Sequence, residues 1–346
     1  MTKSFRVLIV DDSAYVRKVL REMLSRAPQL EVVGMARDGA EALDLVEELR
    51  PDVVTLDLMM PKLDGVGFLR EQMTRRPIPT LVVSIASEQG EAALNALDAG
   101  AIDFVQKPTA LATEKVFEIA DELIRKVMCA AQSRTVAPEI STPASALVMP
   151  SRAVGAYRLD GVVIGISTGG PQALKKLIPR LPKDFPVPVG IVLHMPVGYT
   201  EMYAQKLNDL SPLEVVEARD GMPVIAGRVL LAQAGRHLRF ERDSDGSVVA
   251  RLDAQPFDSL HRPSVDVLFK SAADVWKGRT LGIVMTGMGS DGQEGAAWIK
   301  AQGGQILTEA EETCVVYGMP RSVVDSGLSD RAVPLPALAD AVLEAL

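Results

Sequence analysis

Eight side chains of this sequence have types and spacings that could do chemistry, and they fall into two sets. Ser167 stands in Gly165-Ile-Ser-Thr-Gly169, a G-x-S-x-G pattern. His194 closes the apolar run "PVGIVL", and Asp291 lies in "TGMGSDGQEG". A serine hydroxyl is a poor nucleophile at neutral pH, so it needs a base to take its proton and a third group to hold that base. The second set is Asp11, Asp12, Asp57, Ser84 and Lys107. Carboxylates converging on one edge repel unless a cation sits among them, and an all-oxygen ligand set suits Mg²⁺. A lysine and a hydroxyl beside them suit a bound phosphoryl group, the first by charge and the second by hydrogen bonding.

Each residue also has a plainer reading. Asp12 or Ser13 can cap a helix, Lys107 can be a surface charge, and a serine between glycines can be turn chemistry. Asp291 can cap the helix "GQEGAAWIK", and a lone histidine at a strand end is commonly structural. What lifts these residues above that reading is the set of elements that must position them.

In the first half, short β-branched runs alternate with amphipathic stretches: "FRVLIV" (5–10), "EVVGMA" (31–36), "VVTLDL" (53–58), "TLVVSI" (80–85) and "IDFV" (102–105). Helical patterns such as "SAYVRKVLREMLSRA" lie between them, and a last one covers about 113–131. Five such units predict a parallel sheet with helices on both faces, whose ligands bind at the carboxyl ends of the strands. All five residues of the second set fall at such ends. A Ser/Thr/Pro/Ala-rich stretch without apolar period predicts an exposed linker over 132–158. A second, mainly parallel α/β pattern fills 159–346, from "GVVIGI" (161–166) through "PVPVGIVLHM", shorter strands at about 213–253, "TLGIVMTGM" (280–288) and "GQILTE" (304–309). Within it, "RFERDSDGSVVARL" reads as a hairpin with Asp245-Gly246 in its turn. Ser167, His194 and Asp291 then sit at three strand ends, where glycines let backbone N–H groups face a developing oxyanion.

The chain has 346 residues, 47% hydrophobic and 24% charged, with net charge −8. That balance opposes nucleic acid as a main partner, because neutralising phosphates takes a basic surface. Two cysteines and three histidines without metal-ligand spacing give no reason to expect disulfides or zinc. No run approaches the ~20 apolar residues of a bilayer span. A cytoplasmic protein without membrane insertion is the expectation.

The first half resembles the receiver domain of bacterial response regulators, through "VLIVDDS", "DVVTLDLMMPKLDG", "TLVVSIAS" and "DFVQKP" in order. The resemblance implies a flavodoxin-like fold in which Asp57 accepts a phosphoryl group from a histidine kinase. Asp11 and Asp12, with Asp57, would hold Mg²⁺; Lys107 and Ser84 would contact the phosphoryl oxygens. Phe104 matches the aromatic switch position. Ile85 departs from the small residue usual there.

For the second half, a dinucleotide loop is the main rival of a hydrolase. "GISTGG" matches G-x-G-x-x-G poorly, and the second strand ends in His194 rather than a ribose-binding acid. A common α/β-hydrolase would require the order Ser, acid, His. His237 or His261 could restore that order, but neither ends a clear strand. "GISTGGPQAL", "LHMPVGYT", "HRPSVDVLF" and "TGMGSDGQEGA" resemble the catalytic domain of chemotaxis protein-glutamate methylesterases. That likeness implies Ser167 as nucleophile, His194 as base and acid, and Asp291 as the group orienting the histidine. Thr168 and the backbone around Met288 would flank the oxyanion. Ile166 replaces a commoner alanine. The implied function is a serine hydrolase that demethylates receptor glutamate esters, deamidates glutamines, needs no cofactor for that chemistry and is gated by its receiver. The alternative is a receiver with a non-catalytic docking output.

Overall fold

The computed structural model describes residues 4–84, 90–107, 115–133, 159–256 and 259–346. Ile85 and linker residues 134–158 lie outside them. The chain divides into two compact units, Met1–Glu139 and Ile140–Leu346.

In the first unit, strands β1 (Phe5–Val10), β2 (Leu30–Ala36), β3 (Val53–Leu56), β4 (Thr80–Ser84) and β5 (Asp103–Gln106) form one sheet in the order β2-β1-β3-β4-β5, every pairing parallel. Helices α1 (Ala14–Leu24), α2 (Gly39–Leu49), α3 (Gly65–Arg75), α4 (Gly90–Asp98) and α5 (Lys115–Gln132) connect and close it. Side chains start the first three: Ser13, Asp38 and Asp64 accept from Val16, Glu41 and Gly67 amides, satisfying donors that a helix leaves open. β3 ends two residues before the apolar run does. There the Leu58 amide donates to the Asp57 carboxylate at 2.8 Å rather than to a neighbouring strand.

The second unit holds a seven-stranded sheet ordered β14-β13-β12-β6-β7-β9-β8, again parallel throughout. Its strands are β6 (Gly161–Ile166), β7 (Val189–Leu193), β8 (Glu214–Glu217), β9 (Arg228–Leu231), β12 (Thr280–Val284), β13 (Gln305–Glu309) and β14 (Arg331–Val333). The expected hairpin is present: β10 (His237–Arg242) pairs antiparallel with β11 (Val248–Asp253), and Gly246 in its turn has φ 85°. Helices are α6 (Gly170–Leu177), α7 (Thr200–Leu210), α8 (Val265–Trp276), α9 (Gln293–Ala301), α10 (Met319–Asp325) and α11 (Leu335–Ala345).

β12, β6 and β7 are adjacent and wholly buried, as continuous apolar runs in a central parallel sheet should be. Helix α8 crosses this sheet with Leu268, Phe269, Ala272, Ala273 and Trp276 in the core. Gly165 permits that approach, since a Cβ there would lie 2.2 Å from a Val265 methyl. In the run "TLGIVMTGM" the regular strand ends at Val284, and 285–292 form a loop with an isolated bridge from Gly287 to Tyr317 and with Gly289 (φ 85°) and Gly292 (φ 102°). β14 has only three residues, too few for a pattern of alternation to register.

Candidate active site

Register decides which side chains meet. Ile166 pairs with Leu193 and Gly165 with Val284, so the three central strands end nearly level. The next residue after Ile166 is Ser167, and the next after Leu193 is His194, whose amide donates to the Ile166 carbonyl at 3.1 Å. Ser167 enters a tight turn: its amide donates to the Thr286 carbonyl at 2.9 Å, and its carbonyl accepts from the Gly170 amide at 2.7 Å. Gly169 (φ 81°) takes the backbone conformation that the turn into α6 demands. Ile166 packs against Gly170, where a Cβ would sit 3.0 Å from its side chain.

The His194 Nε2–H donates to Asp291 Oδ2 at 2.8 Å. A carboxylate only accepts, so this bond places a proton on Nε2, and in the neutral ring the lone pair is then on Nδ1. Nδ1 is buried and has no hydrogen-bond partner among the described residues. The His261 ring stacks on His194 at 4.1 Å between centroids, which restricts the imidazole from a second side.

Asp291 does not start α9; Gly292 does. It caps α8 instead. Its Oδ1 accepts from Ser264 Oγ (2.9 Å) and the Asp266 amide (3.0 Å), while Oδ2 accepts from the Val265 amide (2.8 Å) and His194. These four donors match the roughly four lone-pair sites of a carboxylate. Burial acts to raise the Asp291 pKa, but the His194 hydrogen bond and charge and the Val265 and Asp266 amides outweigh it. They hold the carboxyl well below the usual range. Asp266 returns the exchange: its Oδ1 accepts from the Gly292 (2.9 Å) and Gly295 (2.6 Å) amides at the start of α9. Burial pushes the Asp266 pKa up to about 7; the Gly295 amide opposes this and the Asp291 charge reinforces it. Behind Ser264, the buried His237 accepts the Ser264 amide on Nδ1 at 3.2 Å and points Nε2 at the Pro256 carbonyl. Burial lowers its pKa.

Ser264 and Asp266, which surround Asp291, are positions that the search for strand-end residues passes over. Their signal is the S-x-D of "HRPSVDVLF" at the start of a helical pattern. Its usual meaning is a cap for its own helix, whereas here the Asp266 side chain caps the neighbouring helix and the Ser264 hydroxyl donates to Asp291. Gly287 is another: a Cβ there would lie 2.8 Å from Ser167 Cβ and 2.4 Å from Met319 Sδ. Thr168 is buried beside Ser167, and Met288 follows Gly287 on the loop against the serine.

In the first unit, Asp11, Asp12 and Asp57 each present a carboxylate oxygen within 4.8 Å of the others. Asp12 is exposed, whereas Asp11 and Asp57 are buried. Lys107 Nζ lies 2.6 Å from Asp11 Oδ2 and 2.8 Å from Asp57 Oδ2. Burial raises the Asp11 pKa; Lys107 acts to lower it and Asp57 to raise it. Three close carboxylates, one open to solvent, are a donor set that fits a hard divalent cation. Gly65 lets α3 start against this site, because a Cβ there would fall 2.4 Å from the Asp57 carbonyl oxygen. Ser84 ends β4 one strand over, and its carbonyl accepts from the Lys107 amide at 2.7 Å. Phe104 is buried on β5, and the Lys126 ammonium donates to its carbonyl at 2.9 Å.

Fold and sites together define a chain with a response-regulator receiver and an α/β hydrolytic unit. The family model described as CheB methylesterase matches residues 162–342, and the response regulator receiver domain model matches 7–116. Protein-glutamate methylesterase/protein-glutamine glutaminase 5 of Myxococcus xanthus (strain DK1622) is 52% identical over 335 residues, 96% of this chain and 95% of that protein. The protein of the same description from Symbiobacterium thermophilum is 46% identical over 358 residues, covering 99% and 98%. The crystal structure of the Thermotoga maritima CheB methylesterase catalytic domain matches with TM-score 0.53 and 41% identity, covering 54% of this chain and 99% of that one. The chain belongs to the CheB methylesterase family.

Proposed function

We propose that this chain is a protein-glutamate methylesterase and protein-glutamine glutaminase whose Ser167, His194 and Asp291 form a catalytic triad gated by the N-terminal receiver. The observation that carries this reading is the fixed tautomer of His194: Asp291 engages Nε2, and the free Nδ1 belongs to a residue in register beside Ser167. Ser167 Oγ attacks the γ-carbonyl carbon of a methylated receptor glutamate while His194 Nδ1 takes the hydroxyl proton. The C–OCH₃ bond then breaks, the proton passes to the departing methoxide, and methanol leaves a glutamyl ester on Ser167. A water deprotonated by His194 attacks that ester, releasing glutamate and restoring the serine. With glutamine, the C–N bond breaks and ammonia leaves. Backbone N–H groups at Thr168 and Met288 are the proposed oxyanion donors.

In the receiver, Asp57 is the proposed phosphoryl acceptor, supplied by a histidine kinase. Asp11, Asp12 and Asp57 would hold Mg²⁺, which supplies positive charge to the transferring phosphoryl group. Lys107 and Ser84 bind the phosphoryl oxygens, and Phe104 takes part in the switch. The working division is receiver 1–131, linker 132–158 and catalytic domain 159–346. No helix among the described residues is long and apolar enough to cross a membrane, and a cytoplasmic location is part of the proposal, with methyl-accepting receptors as substrates.

The test is methanol release from methylated receptor membranes by wild type and Ser167→Ala, each with and without a small acyl phosphate and Mg²⁺. Release that rises with the phosphodonor and vanishes in the variant is expected. Equal release by the variant would remove the triad.

A further inference from the structure

Glu309 ends β13 and is fully buried at 0% exposure. Its Oε2 accepts from the Thr286 amide at 2.9 Å. The Thr286 carbonyl in turn accepts the Ser167 amide at 2.9 Å, and its Oγ1 donates to the Thr168 carbonyl at 2.9 Å. Thr286 Oγ1 also accepts from the Val316 amide at 3.0 Å. Thr286 therefore anchors both Ser167 and Thr168, and Glu309 anchors Thr286. The other carboxyl oxygen, Oε1, is buried with no hydrogen-bond partner among the described residues. No lysine, arginine or histidine forms an ion pair with Glu309 among them. The groups facing the carboxyl are the Thr313 hydroxyl and the Cys314 thiol, and the charges nearest that thiol are the acids Glu311 and Glu312. A carboxylate there would be a buried negative charge without a counter-charge; hydrogen bonds from Thr286, Thr313 and Cys314 favour that charged form, but burial outweighs them and favours the protonated one.

We propose that Glu309 is a positioning residue that works as an uncharged acid: in its protonated form it holds Thr286, and through it the turn of Ser167 and Thr168, without a buried negative charge behind the nucleophile turn. This inference rests on Ser167 being the nucleophile. Burial raises the Glu309 pKa above the ordinary glutamate value, in keeping with the geometry. Ionisation would place a negative charge behind the amides that face the developing oxyanion, opposing the charge they stabilise. The linkage has a definite sign. A raised folded-state pKa means that proton binding favours the folded protein. That contribution is complete below the ordinary glutamate pKa and is lost as pH rises through the folded value. Glu309→Gln keeps an acceptor for Thr286 and has no proton to lose, whereas Glu309→Leu has neither.

The experiment uses the full chain with phosphodonor, measuring kcat and KM from about pH 5, just above the ordinary glutamate pKa, to about pH 9. Wild type, Glu309→Gln, Glu309→Leu and a Ser167→Ala control are compared, and melting temperatures are taken over the same range. Glu309→Leu should lower kcat by about tenfold with KM changed less than about twofold, and Glu309→Gln should recover most of that loss. Wild-type kcat should fall on the alkaline side while that of Glu309→Gln holds. The melting temperature of Glu309→Gln should gain on wild type as pH rises. Parallel pH profiles with a constant melting difference, or a Gln variant as impaired as the Leu variant, would overturn the proposal. Hydrolysis retained by Ser167→Ala would instead overturn the nucleophile reading. The melting comparison tests the Glu309 proton separately from that control.

Discussion

Two clusters of carboxylates stand at the carboxyl ends of parallel strands in this chain, and they use their oxygens in opposite ways. In the receiver unit, Asp11 and Asp57 share one ammonium, that of Lys107, and Asp12 faces solvent. In the catalytic unit, Asp291 receives three donors from the first turn of α8 and one from His194. A carboxylate with lone pairs to offer can ligate a cation or accept a phosphoryl group. One whose lone pairs are all engaged by fixed donors becomes a stationary charge, suited to holding an imidazolium. The same residue type at the same place in the same kind of sheet is thus suited to be an acceptor or an anchor, according to the donors that surround it.

The largest expected effect separates the units by chemistry. Ser167→Ala or His194→Ala should lower esterase turnover by about 10⁴-fold or more, the scale for members of a serine triad, as read by methanol release. Asp57→Asn should abolish the response to phosphodonor while hydrolysis by the catalytic unit continues, and chelation of divalent cations should mimic it. Loss of unstimulated hydrolysis in Asp57→Asn would mean that the two clusters are not separate in function.

The next effects sharpen the idea of an anchored carboxylate. Gly287→Ala introduces a methyl 2.8 Å from Ser167 Cβ, and such overpacking costs about 1–3 kcal/mol. Its melting temperature and kcat should fall together. Ser264→Ala removes one charge-assisted hydrogen bond from Asp291, a bond of about 1.5–3 kcal/mol. Its kcat should fall about tenfold with KM nearly unchanged. A KM effect larger than the kcat effect would place Ser264 in substrate binding rather than in support of Asp291.

Much of this is legible in the amino-acid sequence alone. Strand ends are readable because a buried parallel strand must be a continuous apolar run, as in "GVVIGI", and because glycine marks the turn after it. The set Ser167, His194, Asp291 follows from asking what lies just past such runs. The partners of Asp291 are not legible in that way. Asp291 and Asp266 are 25 residues apart in sequence, and each looks like a cap for its own helix. Only the side-by-side packing of α8 and α9 turns two local caps into a reciprocal pair. His261 is similarly ambiguous, since ring stacking on His194 leaves no trace in spacing. Glu309 reads as the end of a strand; what makes it unusual is the burial of that end beneath Thr286.

The most direct test of the central claim is labelling of the intact chain by a serine-directed phosphonate, with the modified residue located by peptide mass. Ser167 should be the labelled residue, faster with acyl phosphate and Mg²⁺ than without, and His194→Ala should label far more slowly. Labelling at another serine, or at Ser167 with a rate indifferent to both His194 and the phosphodonor, would contradict a triad gated by its receiver.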